Sequence, residues 1–138
     1  MEHLPSWLLT QTAAYAGRVV TERFAEVGAR GYHYRLLAQL LIGPASQADL
    51  GRRTGIHFSD VVAALNELTA AGYVERRPDP ADKRRNVVTI TQAGRRRVAE
   101  LADRAAAIQE ELLAPLNPAE RTELVRLLKL LRAGAAAE

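Results

Sequence analysis

A mainly α-helical chain interrupted by one short pair of β-strands is what this sequence predicts, and three observations predict it. Apolar residues recur at spacings of three and four along most of the 138 residues, the period of a helix with one buried face. Residues 73–91 break that period: two short β-branched runs, YVERR and NVVTIT, flank RPDPADKR, whose prolines and aspartates favour a turn. Alanine and leucine are abundant, and aromatic residues hold only 5% of the chain, a balance that suits helices better than sheets.

Each element follows from local signals. Ser6 caps a first helix running to about Val27, with Leu9, Ala13, Ala16, Val20, Phe24 and Val27 as its apolar stripe. Residues 28–31 stop it. A second helix covers residues 32–42, with Tyr34, Leu37, Ala38 and Leu41 on one face, and Gly43-Pro44 ends it. In SQADLGRRTG, Ser46 and Asp49 have capping-box spacing and Gly55 supplies the stop, which gives a short third helix. A fourth helix over residues 58–71 aligns Val61, Ala64, Leu65 and Leu68 until Gly72. Two short helices joined by a tight turn form a helix-turn-helix. The strand pair comes directly afterwards, which makes the arrangement a winged helix. A long helix over residues 91–114 carries a heptad-like seam through Val98, Leu101, Ala105, Ile108 and Leu112. Asn117 as cap, Pro118 first and Glu120 third start the last helix, with Leu124, Leu127, Leu128 and Leu131 along it. RAGAAAE at the end is expected to fray. No internal repeat or linker divides the chain, so residues 1–138 read as one domain.

Charge singles out the strand pair. The formal net charge is +3, yet residues 76–97 hold Arg76, Arg77, Lys83, Arg84, Arg85, Arg95, Arg96 and Arg97 against only Asp79 and Asp82. That segment carries +6 and the remainder −3. Such asymmetry is the footprint of a polyanion site, the competing reading being a solvated charged surface. Absent cysteine excludes disulfides, thiolate metal sites and thiol redox sensing. The N-terminal MEHLPSWLLTQTAAYAG lacks the basic lead and apolar core of a signal peptide, and no run reaches the roughly 20 apolar residues of a membrane span. A reduced, cytoplasmic setting without membrane attachment is expected. His3, His33 and His57 stand far apart and outside any metal-binding spacing, and no phosphate loop or nucleophile motif appears. The chain therefore reads as a non-enzyme with no catalytic residue, no metal and no cofactor.

Lys83, Arg84 and Arg85, with Arg77, sit where they have no core to stabilise. Guanidinium groups on a projecting hairpin can enter a minor groove or pair with phosphates. Asp82 either orients Arg84 for that purpose by a charge-assisted bond or merely stitches the turn. The fourth helix turns Ser59, Asp60, Val62, Ala63 and Asn66 outward. Short side chains permit close approach to a major groove, where Ala or Val meets thymine methyls and Ser or Asn meets base edges. Asp60 serves equally as an acid favouring the helix dipole, and His57 as a cap or a phosphate contact. This helix has no Arg or Lys, so Ser46, Arg52 and Arg53 beside it join the hairpin as expected phosphate contacts.

SQADLGRRTG, then SDVVAALNELTAAGYVERRPDPADKRRNVVTITQAG, resembles the MarR family of bacterial transcriptional regulators. The most specific part is Asp82-x-Arg84 followed by Val88-Thr89-Ile90-Thr91-x-x-Gly94, and the similarity covers nearly the whole chain. The resemblance implies a homodimer in which residues 5–27 and 98–134 interlock as a dimerisation lobe beside a DNA-binding lobe of residues 28–97. It further implies double-stranded DNA bound at a palindromic operator, with repression relieved by a small phenolic or lipophilic acid held between the lobes. Trp7, Tyr15, Arg18, His33 and Tyr34 are the candidates to line that pocket; ordinary core packing is the competing role for the aromatic ones. The chain departs from the family at Phe58 and Ala63, apolar where a basic residue is common, and the missing cysteine excludes the peroxide-sensing branch. Two rival functions stand beside this one. A sequence-tolerant architectural DNA binder would need no effector, and a metal-responsive regulator would use the histidines.

Overall fold

The computed structural model describes residues 2–136. It contains six helices and three short strands: α1 (Pro5–Ala25), α2 (Gly31–Ile42), β1 (Ala45–Ser46), α3 (Gln47–Thr54), α4 (Phe58–Ala70), β2 (Val74–Pro78), β3 (Asn86–Ile90), α5 (Gln92–Leu112) and α6 (Pro118–Ala136). The strands form one antiparallel sheet in the order β1-β3-β2, with Val74 opposite Ile90 and Pro78 opposite Asn86. The winged helix-turn-helix expected from the sequence is present. β1 is the addition, with Ala45 opposite Val88 and Ser46 opposite Val87. Two residues carry no readable alternation, so only pairing with β3 reveals them as a strand.

Local chemistry accounts for most boundaries. Ser46 Oγ accepts from the Asp49 N–H at 3.1 Å, and Gly55 closes α3 in the left-handed region at φ 72°. Asn117 and Glu120 make a reciprocal box, each backbone N–H donating to the other's side chain at 3.0 and 2.9 Å. Thr91 caps α5 by accepting from the Gly94 N–H at 3.0 Å, while its hydroxyl donates to the Gly72 carbonyl at 2.7 Å. A Cβ on Gly94 would lie 2.1 Å from the Tyr73 carbonyl oxygen. The start of α5 thus rests directly on the backbone that leads into β2.

Four expectations need correcting. Ser6 does not cap α1: Pro5 occupies its first turn behind an extended Leu4, and proline needs no capped N–H there. That helix ends at Ala25, and Val27 lies in the following turn. On α2 the buried set is His33, Leu36, Leu37 and Leu40, whereas Leu41 is exposed. The helix is apolar nearly all round, so spacing alone left its phase open and packing chose it. Lastly, helix α6 continues to Ala136, so the tail is helical as far as described; its last two residues lie outside the described range.

The core runs through the middle of the chain. Leu36, Leu37, Leu50, Val61, Leu65, Val88 and Leu101 are fully buried and join Val19, Phe24, Val98 and Ile108 in one cluster. Each such side chain contributes roughly 1.5–3 kcal/mol by leaving water. The two ends of the chain differ. Leu4, Leu8 and Leu9 on the first turns are exposed, no side chain of α6 is buried among the described residues, and Leu131 is 57% exposed. Among the described residues no helix is long and apolar enough to cross a membrane.

Candidate nucleic-acid interface

The hairpin between β2 and β3 is closed by backbone bonds from Asp79 N–H to the Arg85 carbonyl at 2.8 Å and from Arg85 N–H to the Asp82 carbonyl at 3.0 Å. Asp79 also accepts from the Ala81 N–H at 2.9 Å, an Asx turn in which the sequence Pro-Asp-Pro leaves little freedom. Asp82 binds Arg84 within the turn. Its carboxylate accepts from the Arg84 backbone N–H and Nε, each at 3.1 Å, and from Nη2 at 3.3 Å. The Arg84 guanidinium therefore holds the Asp82 carboxyl below the usual carboxylate range, helped by the Arg84 N–H. Arg84 itself is 91% exposed in its side chain, and Lys83 beside it is exposed as well. Asp82 thus occupies the Nε–Nη2 edge of the guanidinium, and the rest of the side chain is open to solvent.

The other cations divide. Arg85 turns back, donating to Ser46 Oγ at 3.0 Å and standing 4.0 Å from Asp49. Arg76 donates to Gln47 Oε1 at 3.2 Å and to Asn66 Oδ1 at 2.6 Å. Arg77 is exposed and pairs with Glu75. Arg97 leaves the basic patch altogether. It is 14% exposed in its side chain, donates to the Val27 carbonyl at 2.5 Å and lies over the Tyr73 ring. Arg95 and Arg96 stay exposed. Part of the +6 counted along the sequence is thus structural cement.

On α4, His57 caps the first turn, accepting from the Ser59 N–H at 3.2 Å, with Ser59 Oγ at 2.8 Å from the same ring nitrogen. Ser59, Ala63 and Asn66 are exposed, and Asp60 and Val62 half-buried. Phe58, next to the cap, is exposed too. On α3, Arg53 is exposed and Arg52 pairs with Asp49. Ser46 is not free as a phosphate contact: it is buried, and its oxygen already accepts from Asp49 and Arg85.

The five pocket candidates are scattered. Tyr15 and Arg18 are exposed on α1, and Trp7 is half-buried near its start. Tyr34 stacks on Phe24 at 6.1 Å between ring centroids, a core role. His33 is buried, with Nδ1 accepting from the Arg30 N–H at 3.2 Å and Nε2 3.5 Å from Glu67. Burial holds its imidazole below the ordinary value, opposed by Glu67 and reinforced by Arg30 and Arg97. A cavity of about 500 Å³ does open between α1 and α2, but Val20, Thr21, Arg30, Tyr32 and Arg35 line it. No local signal in the sequence pointed to Arg30, Tyr32 and Arg35, because spacing left the phase of α2 open.

Comparison with known proteins agrees with this geometry. The MarR family model matches residues 28–85. The transcriptional repressor NicR of Pseudomonas putida is 31% identical over 87 residues, 63% of this chain and 55% of that protein. The sequence matches span from 38% to 60% of the related proteins' own lengths. Among solved structures, Bordetella bronchiseptica BpsR, whose DNA binding is regulated by 6-hydroxynicotinic acid, superposes with a TM-score of 0.85 at 26% identity, over 96% of this chain and 95% of that one. A probable transcriptional regulator from Pseudomonas aeruginosa gives 0.83 at 28% identity, over 94% and 98%. The PcaV regulator of Streptomyces coelicolor, in complex with its natural ligand, gives 0.83 at 25% identity, over 99% and 96%. With its winged helix, hairpin tip and flanking helices matched from end to end, the chain shares the fold of these regulators, and its residues 28–85 match the MarR family.

Proposed function

We propose that this chain is a DNA-binding transcriptional repressor that acts as a homodimer on a palindromic operator and releases it on binding a small aromatic or lipophilic acid. One observation carries the DNA reading. Arg76 bridges β2 to Gln47 on α3 and Asn66 on α4, and Arg85 ties the wing to Ser46. The wing is thereby tied to the helix-turn-helix, with Lys83 and Arg84 exposed at its tip. Preorganisation of this kind lowers the ordering cost of binding. Arg84 then enters a minor groove while Ser59, Val62, Ala63 and Asn66 face the neighbouring major groove, and Lys83, Arg52 and Arg53 meet phosphates. Dimerisation through residues 5–27 and 98–134 buries the leucines left open on α1 and α6, and two wings spaced by that lobe call for a palindromic site. NicR's description as a repressor supports the sign of regulation, and the regulation of BpsR by an aromatic acid supports the effector class.

The test is DNA selected from a random pool and titrated by fluorescence anisotropy at physiological salt. A palindromic sequence bound at least about 10³-fold more tightly than bulk DNA is expected; equal binding of both would leave only sequence-tolerant association. Arg84→Ala should weaken the operator complex with dimerisation and melting unchanged. Parental affinity in that variant would refute the wing's role.

A further inference from the structure

We propose, resting on the DNA function above, that α4 reads the 5-methyl groups of pyrimidines, with Phe58 and Val62 setting the sequence preference. Apolar contact, rather than a hydrogen-bond code, is what this helix has left to offer. Its sequence holds no Arg or Lys, so it lacks the bidentate guanine contact that most often specifies a base. The polar groups at its start and along its outer side are engaged within the chain. His57 Nδ1 accepts from the Ser59 N–H at 3.2 Å and lies 2.8 Å from Ser59 Oγ, which commits the hydroxyl proton to the imidazole. Asn66 Oδ1 accepts from Arg76 Nη2 at 2.6 Å. The amide's acceptor is thereby turned toward β2, and the donor and acceptor that an asparagine pairs to clasp adenine are split. Ser59 keeps only acceptor capacity and Asn66 chiefly its amide hydrogens. Asp60 is half-buried in the first turn, where an acid suits the helix dipole.

What stays open on the same helix is apolar. Phe58 is 55% exposed, Val62 is half-buried and Ala63 is exposed. Phe58, Val62 and Asn66 follow one another at intervals of four residues, so they form one line along the helix. The Asn66 end of that line is bonded through Arg76 to Gln47, the first residue of α3. Phe58 and Val62 therefore lie on the side of α4 that the wing strand and the start of α3 border. Cations stand exposed on both neighbouring elements, Arg53 on α3 and Lys83 and Arg84 on the wing. Their charge suits this side to a polyanion. On the base edges of a major groove, the apolar feature is the methyl group of thymine, and 5-methylcytosine carries one at the same ring position. A phenylalanine ring and a valine have that group to cover and no hydrogen bond to lose by doing so.

The experiment uses the operator selected from the random pool and the full chain. Each thymine is replaced in turn by deoxyuridine in both half-sites, which removes the methyl group and leaves the hydrogen-bonding edge unchanged. At one or more positions affinity should fall by about fourfold for each methyl lost, the worth of one buried carbon. At such a position cytosine should bind weakly, and 5-methylcytosine should bind more tightly than cytosine by the same factor. Phe58→Ala and Val62→Ser should each weaken the thymine operator and bind its thymine and deoxyuridine forms alike at the position that residue covers. Circular dichroism confirms that both variants are folded. Parental affinity for every deoxyuridine operator overturns the methyl assignment and leaves the DNA function standing. So does a 5-methylcytosine operator bound no better than the cytosine one, or a thymine-to-deoxyuridine ratio unchanged in both variants. A selection that yields no preferred sequence sinks the DNA function and the methyl assignment together.

Discussion

Arg84 and Arg97 are the same residue type thirteen positions apart on one basic segment, yet their surroundings give them opposite work. Among the described residues Arg84 pairs with Asp82, from its own turn, and its side chain stands in solvent. Arg97 reaches the Val27 carbonyl and the Tyr73 ring, where its loss would unpair a carbonyl rather than weaken a polyanion site. Salt dependence should separate them: Lys83→Ala should reduce the slope of log affinity against log salt by about one if it neutralises a phosphate. Arg97→Ala should instead lower the urea midpoint. His33 makes a further prediction at this scale. Its folded pKa lies below the unfolded one because of burial, so the unfolded chain binds the proton more readily. The stability it contributes is complete above the unfolded value of about 6.5 and declines as pH falls below it. Urea midpoints measured from pH 7.5 to 5 should drop in the parent and drop less in His33→Gln; parallel curves would refute the assignment.

Among the elements, α5 is the most tightly seated. Thr91 ties its start to Gly72, and Gly94 leaves room for the Tyr73 carbonyl to press against the helix. Gly94→Ala places a methyl group 2.1 Å from backbone oxygen that cannot rotate away. We expect it to cost about 1–3 kcal/mol or more in urea unfolding, as overpacking does, and to loosen the wing that begins one residue after Tyr73. Gly55→Ala, strained by φ alone with open space around it, should cost about 1 kcal/mol. Most of these elements were legible beforehand, because caps, stops and periods are local. The phase of α2 was not, since an apolar helix offers several faces and the winning one depends on which neighbours arrive. Nor was β1, which exists only as a partner for Val87 and Val88.

At the scale of the molecule, a buried centre and two open ends imply different partners. Leu127, Leu128 and Leu131 form a helix face that the single chain leaves in water, an arrangement that a second copy would relieve. Replacing Leu127 and Leu131 by Asp should shift the protein to monomer in sedimentation equilibrium. Operator affinity should fall with it while the winged helix stays folded by circular dichroism; a stable dimer in that variant would place the interface elsewhere. The pocket candidates show the same limit from another side. Residue type points to Trp7, Tyr15, Arg18, His33 and Tyr34, but the α1–α2 cavity is walled by Arg30, Tyr32 and Arg35. Composition cannot say which side of a helix meets a hollow.

Alone, the sequence determined the element order, the helix-turn-helix with its charged hairpin, and the pairing of Asp82 with Arg84, because each is written within a few neighbouring residues. Only the tertiary structure decided which cations are spare, which face of α2 is inside and which side chains surround the cavity. Those outcomes depend on Arg85 meeting Ser46, Arg97 meeting Val27 and Arg30 meeting Glu67. Such contacts join positions dozens of residues apart, and no local period or cap encodes them.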